Sequence, residues 1–458
     1  MKLSDLVDFN PKRPLKKGEI ASFIEMASLS ENSRDVSAIN KKLFTGGGAK
    51  FTNKDTLFAR ITPCLENGKT CQVSGLPEEE IAFGSTEFIV MSAKDAEHDS
   101  NYIYYLARLS EFRIYAQARM EGTSGRQRVS WQALAEYEYP FPDKVKRKSA
   151  SDFLKTIDDK IKINQQTNQT LEQMAQALFK SWFVDFEPVK AKIALLEAGG
   201  SQQEATLAAM TAISGKDADS REVFKHKQPE KFAELKATAE LFPSAMQESE
   251  LGDIPQGWEI SSLANKIKLT GGGTPKRSEP NYWGGNICWY SVKDAPNDSD
   301  IFVVDTDEKI TIEGLNKSST KLLPAGTTII SARGTVGKLA LAAVETAMNQ
   351  SCYGISGGDF SGPFLTYLKV RQCINALKRN THGAVFDTIT ASTFDTVNVV
   401  TANKKINDKF ESLVTPLFNT IKSNLISNLY LSQLRDTLLP KLLSGEITLP
   451  QAEQAPSE

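Results

Sequence analysis

Residues 164–183 read NQQTNQTLEQMAQALFKSWF, an amphipathic stretch with two amides, Asn164 and Asn168, on its apolar stripe. Written in heptads, the seam runs Leu154, Ile157, Ile161, Asn164, Asn168, Leu171, Ala175, Leu178 and Trp182. Steps of three and four alternate, the 3.5-residue period of a coiled coil. A second stretch repeats the pattern with Phe410, Val414, Leu417, Ile421, Asn424, Asn428, Leu431, Arg435 and Leu438. If the two helices pair antiparallel, Asn164 faces Asn428 and Asn168 faces Asn424. Paired amides fix register and direction at a cost in stability. Trp182 then meets Phe410, and Leu178 meets Val414. Arg435 falls against Ile157 near one end of the pair, where it is expected to snorkel to water. Pro416 is expected to kink the second helix or to start it. A pair of about 35 residues would be about 50 Å long.

The two helices belong to a longer repeat. A shift of 260 residues lays Leu171 over Leu431, and with it Ile157 over Leu417, Asn164 over Asn424, Val129 over Ile389 and Tyr139 over Val399. Further upstream, DTLFARITPCLENGKTCQV (55–73) parallels GTTIISARGTVGKLALA (326–342). Each shows an apolar run, an Ala-Arg, a turn, a Gly-Lys and a second apolar run, which reads as a hairpin with a basic residue at each end of its turn. The reading is therefore of a mixed α/β fold, with two modules in inverted orientation separated by an antiparallel coiled coil. The expected boundaries are 1–145 and 251–403 for the modules, 146–187 and 404–447 for the long helices, and 448–458 for a flexible tail. Between the halves, 188–250 is rich in Ala, Glu and Lys and broken by Gly and Pro, so several short helices are expected there.

Composition narrows the classes. The 458 residues are 40% hydrophobic and 24% charged, with a net charge of −2 and a pI near 6.1, which argues against gripping nucleic acid through bulk positive charge. No apolar run approaches the roughly 20 residues that span a bilayer, and the start lacks a secretory pattern. Five scattered cysteines suit reduced thiols in a cytoplasm. His98, His226 and His382 stand apart, and no GxxxxGK[ST] loop or Asp-Pro-Pro-Tyr-type motif occurs, so neither metal, triad nor cofactor chemistry is expected.

The residues also carry a resemblance. TGGGTPKRSEPNYWGGNICWYSVKDAPND (270–298), IPQGWE (254–259), KLLPAGTTIISARGTVGKLAL (321–341) and LRDTLLPKLLSGEI (434–447) resemble the DNA specificity subunit of type I restriction–modification enzymes. DTLFARITPCLENGK (55–69), GSTEFIV (84–90), GTSGRQRV (122–129) and NQTLEQMAQALFKSWFVDFEPV (168–189) look like first-half versions, although the first module lacks the IPQGWE lead-in. The resemblance implies two target-recognition domains, each similar to that of an adenine-N6 methyltransferase, and no catalysis in this subunit. It implies double-stranded DNA, two modification subunits docked on the long helices and two ATP-driven restriction subunits as partners. S-adenosylmethionine, ATP and Mg2+ would belong to those partners.

Candidate DNA contacts follow from residue type. Arg60, Lys69, Arg333 and Lys338 flank the repeated turn, as DNA contacts or as solvated charges. Arg126 and Arg128 sit beside glycines, and arginine reads guanine edges bidentately; a structural joint with a partner fits the same position. Lys276 and Arg277 follow glycines that either end a strand or let backbone amides approach a phosphate. Lys293 or Trp289 could face a groove, though Trp is more often core. In 251–400 the 14 basic and 14 acidic residues balance, so tight DNA binding is expected to need basic surface from partners. Two other readings compete: a self-sufficient enzyme, which the missing cofactor motifs disfavour, and a coiled-coil scaffold without sequence-specific DNA reading.

Overall fold

Short β-branched and aromatic runs between Val7 and Ala93 pair into two sheets. Their strands are β1 (Val7–Phe9), β2 (Ile20–Ile24), β3 (Asn40–Leu43), β4 (Ala49–Phe51), β5 (Thr56–Ala59), β6 (Thr70–Gln72), β7 (Ala82–Gly84) and β8 (Phe88–Ala93). One sheet has the order β1-β8-β5-β6 and is antiparallel; the other is β3-β2-β7-β4, with β2 and β7 parallel. Every residue of β5 and β6 is buried, so these strands read as continuous apolar runs. The two-residue period still sorts them. Leu57 and Val90 join one core with Phe51 and Ile24, while Phe58, Ile89 and Met91 face a second core with Tyr102 and Leu106. The chain is a computed structural model that describes residues 1–123, 125–296, 300–381 and 388–449. His382, Ser124 of the GTSGRQRV stretch and all but the first two residues of the expected tail lie outside those residues.

Helix α1 (Ala96–Arg108) starts at Asp95, whose carboxylate accepts from the His98 amide at 3.3 Å. After α2 (Ser110–Gln117), strands β9 (Met120–Glu121) and β10 (Arg128–Val129) and the short α3 (Trp131–Ala135), the chain enters α4 (Lys144–Phe183), a 40-residue helix. The connector follows as α5 (Glu187–Glu197), α6 (Gln202–Ser214), α7 (Ala218–Lys227) and α8 (Pro229–Glu240). Ser201 caps α6 in a capping box and Gly215 ends it in the left-handed region, so each break in composition becomes a helix end. Two short strands, β11 (Met246–Gln247) and β12 (Ile254–Pro255), lead into the second module.

The elements there are β13 (Glu259–Ser262), β14 (Lys268–Gly271), β15 (Trp283–Tyr290), β16 (Phe302–Val303), β17 (Lys309–Ile310), α9 (Ile312–Asn316), β18 (Thr328–Ser331), β19 (Leu339–Ala342), β20 (Thr346–Met348) and β21 (Cys352–Ser356). Then come α10 (Pro363–Arg379), α11 (Ala391–Asp395), β22 (Asn398–Thr401) and the 40-residue α12 (Lys404–Leu443). The strands of the main sheet and the helices that follow them return in the same order, with α9, β13 and β22 added. The main sheet is β14-β21-β18-β19-β16, matching β1-β8-β5-β6 strand for strand. Even the added β16, parallel to β19, has a counterpart in the parallel bridge of Asp35 to Gln72 on β6. The parallel pair β15 and β20 matches β2 and β7.

The chain divides into two units, Met1–Ile163 with the stretch from Asn428 onward, and Asn164–Ser427. In the second unit Trp182 meets Phe410 with ring centroids 5.6 Å apart, and Asn424 donates to Asn168 at 2.8 Å, so α4 and α12 run antiparallel there. Asn164 and Asn428 are buried. Two expectations are corrected. Of the two outcomes expected at Pro416, a start is excluded, because α12 runs through that residue. That residue is exposed, and the amide bond it withholds would have gone to the carbonyl of exposed Ser412. Arg435 does not snorkel: it is 5% exposed and donates to Asp158 at 2.7 Å, the residue beside Ile157, while Tyr105 donates to the other carboxylate oxygen at 2.6 Å.

Candidate nucleic-acid interface

Both hairpins form where the repeat implied, β5 with β6 and β18 with β19. In the first, Arg113 of α2 donates to the carbonyls of Leu65 and Glu66 at 3.3 and 2.9 Å and so braces the turn. Gly68 has φ +83°, and its missing Cβ would fall 2.3 Å from that guanidinium, so the turn favours glycine. In the second, the amides of Gly337 and Lys338 close the turn on the carbonyl and hydroxyl of Ser331, each at 2.8 Å.

The candidates differ in exposure and in the partners they hold. Lys69 is half-buried and donates to the Met26 carbonyl at 3.3 Å. Arg128 grips the Glu87 carboxylate through Nε and a terminal nitrogen at 2.7 to 3.0 Å, and this holds Glu87 below the usual carboxylate range. Arg277 holds Glu308 in the same way, with one bond of 2.8 Å, and lies 3.9 Å over the Trp283 ring. Arg126, Lys276, Lys293, Arg333 and Lys338 are exposed. Arg60 is half-buried, and its Nε has no hydrogen-bond partner among the described residues.

Tertiary pairing brings some of these together. Ile61 bridges Arg128, and the Val129 amide donates to the Arg60 carbonyl at 3.0 Å, which lays the Arg126–Arg128 strap along the first hairpin. Arg277 holds Glu308, and the Lys293 charge adds to the field that keeps that carboxylate below the usual range. Trp289 is core: it is 3% exposed and donates to the Gly273 carbonyl at 3.0 Å. That bond explains part of TGGGTPKR. A Cβ on Gly272 would fall 1.9 Å from the Asn349 carbonyl oxygen, so the glycine serves close backbone packing.

Sequence reasoning passed over one cluster. Lys12, Arg13, Lys50 and Arg60 line a cleft of 360 Å³ with Asn10, Thr86 and Gly48, and no carboxylate shares the lining. The signal was present as a Pro-Lys-Arg at 11–13 that recurs at 275–277, close to the 260-residue shift. Such a surface offers fixed cations and amides to an anionic polymer. Among the described residues no group of three His, Cys, Asp or Glu could hold a metal ion, and no helix is long and apolar enough to cross a membrane.

The model of the type I restriction modification DNA specificity domain matches residues 1–173 and 255–431, one match for each module and the start of its helix. The chain belongs to this family. It is 32% identical to the HindI specificity subunit of Haemophilus influenzae over 89% of this chain and 90% of that one. The MjaIX specificity subunit of Methanocaldococcus jannaschii is 23% identical, over 77% of this chain and 70% of its own. The crystal structure of the type I restriction–modification S subunit from M. genitalium superimposes with a TM-score of 0.51 at 12% identity, covering 97% of this chain and 95% of that one, which shows a shared fold. As a type I specificity subunit the chain recognises a DNA target and is not itself a catalyst. DNA and the other restriction–modification subunits are its partners.

Proposed function

We propose that this specificity subunit reads a bipartite, asymmetric DNA target, one half-site per module, with a fixed run of unread bases between. The duplicated sheet carries the reading: one strand order occurs twice, in modules whose loops have diverged. Residues 1–145 and 251–403 are the two target-recognition domains, 146–187 and 404–447 the helices on which two modification subunits dock, 188–250 a connector, and 448–458 a tail. Two restriction subunits complete the assembly in the cytoplasm, and S-adenosylmethionine, ATP and Mg2+ enter with the partners. Of the candidate contacts, Arg60, Arg126, Lys276, Lys293, Arg333 and Lys338 face DNA. Lys69, Arg128 and Arg277 hold the loops in place.

Because acid and base balance in 251–400, the chain alone binds DNA weakly, and affinity rises when modification subunits add basic surface. The test is methylation mapping in cells that express the chain with its partners. Modified adenines are expected one per strand, one in each half-site. Exchanging 1–145 for the matching region of a relative should change the first half-site alone. A contiguous motif, a palindrome or a variable spacer would overturn the reading, and methylation without sequence preference would favour a mere scaffold.

A further inference from the structure

The tripeptide Pro-Lys-Arg occurs at 11–13 and again at 275–277, and in both modules it follows the first strand of the main sheet, β1 or β14. A polar residue anchors each copy to the equivalent strand. Asn10 exchanges two bonds with Val90 of β8, at 2.8 and 2.9 Å, and the Thr274 hydroxyl bonds to Gln350, two residues before β21. Proline then restricts the backbone on either side of itself, so the next residue leaves the anchor in a set direction.

The two cations of each copy have different fates. Arg13 is locked on the buried carboxylate of Asp55, with a second bond at 3.1 Å, and Arg277, itself exposed, is paired with Glu308 at the surface. Lys12 and Lys276 are exposed, with no ion pair among the described residues. Arg60, the residue that follows Ala59 at the end of β5, lines the same cleft as Lys12. Arg333 stands in the same place after Ala332 at the end of β18, and the Ala332 amide donates to Ser351, next to the Gln350 that anchors Thr274. Glu87, whose carboxylate also feels the Arg60 charge, is itself held by Arg128.

We infer that each module carries a phosphate-contact pair on the matching edge of its sheet, Lys12 with Arg60 and Lys276 with Arg333. The locked arginines position these pairs, and the ligand is the DNA phosphodiester backbone beside each half-site. This rests on the proposed reading of one half-site per module.

The test uses the complex with modification subunits. Lys12→Gln with Arg60→Gln removes two phosphate contacts. The slope of log K against log salt should then fall by about 1.8, with affinity down about thirty-fold near 0.15 M salt, equally on target and unrelated duplexes. Phosphate-ethylation interference should vanish beside the first half-site only. Lys276→Gln with Arg333→Gln should do the same beside the second. Lys12→Gln alone, at an exposed position, reads about half the slope change whatever the double variant does to folding. Arg13→Gln, which loosens the positioning, should lower the melting temperature and reduce the slope by less than Lys12→Gln does.

An unchanged slope, or discrimination lost at a particular base pair, overturns the assignment. So does a saturable site for inorganic phosphate that disappears in the variant while the DNA slope stays. Failure of the bipartite reading would show separately, in the methylation map of the wild type, because the slope is measured on unrelated DNA as well.

Discussion

Each module is fastened to its own stretch of long helix, and the two fastenings differ in chemistry. In the first unit the joint is charged: Arg147 of α4 holds Asp99 at 2.6 Å, Arg34 reaches Asp159 at 2.7 Å, and Arg435, Asp158 and Tyr105 form one buried chain of bonds. In the second it is mainly aromatic: Phe418 stacks on Phe364 at 4.3 Å and meets the edges of Phe302 and Tyr367, with one ion pair, Arg371 to Glu172, beside it. The 260-residue shift makes the contrast sharper. It places Asp158 on Phe418 and Ala175 on Arg435, so an ion pair in one copy occupies the positions of a Phe and an Ala in the other. All four residues are buried. Duplication preserved the seam, and divergence replaced apolar bulk with charge at one site. Each solution works because its whole set of partners came with it.

Breaking the charged joint should have the largest effect. Arg435→Ala leaves the buried Asp158 carboxylate without its cation and should cost about 3 to 5 kcal/mol in denaturant unfolding; Asp158→Ala, which leaves Arg435 its 2.8 Å bond to Asp436, should cost less. The triple change Asp158→Phe, Arg435→Ala and Tyr105→Phe imports the second module's solution. It should recover most of that loss; a triple variant as unstable as the singles would mean that the two sites are not equivalent. In the aromatic joint, Phe418→Ala should cost about 3 kcal/mol through the cavity it opens, with no dependence on salt.

A charged group inside the aromatic unit gives the next effect. Lys369 is buried, with its amine 4.8 Å from the Phe360 ring centroid and 5.6 Å from that of Phe183, and it has no hydrogen-bond partner among the described residues. Burial, helped by the Lys266 charge and opposed by Cys373, pushes the amine down to about 7. The unfolded chain keeps this proton to about 10.5, so between those values unfolding takes up a proton and stability rises with pH. Lys369→Met should remove a slope of up to about 1.4 kcal/mol per pH unit across that window and stabilise the protein at pH 7. Identical slopes for wild type and variant, in unfolding series from pH 7 to 10, would contradict this.

The smallest effect belongs to the amides. Asn168 accepts from Asn424, yet its own Nδ2 has no partner among the described residues. Asn168→Leu with Asn424→Leu should therefore stabilise by about 1 kcal/mol and broaden the distance distribution between spin labels at exposed Gln169 and Ser423. A loss of stability would assign the amides another role.

The heptads, the repeated amides and the 260-residue shift were legible in residue order alone, because a helix seam and a duplicated strand are periodic and local. The hairpins were legible for the same reason, down to the basic residue at each end. Side-chain engagement was not. Arg128 finds Glu87 and Arg277 finds Glu308 only after strands distant in sequence pair, so residue type alone could not separate a locked guanidinium from an open one. The lone Arg435 looked like a misfit because its partner Asp158 lies one position off the heptad seam, and Tyr105 arrives from another helix. The sequence by itself determined the number of modules, their order and the antiparallel fit of their helices, through apolar period and matched amides. Tertiary structure alone decided which charges are spent inside and which are left facing out, because desolvation is set by the neighbours a fold assembles.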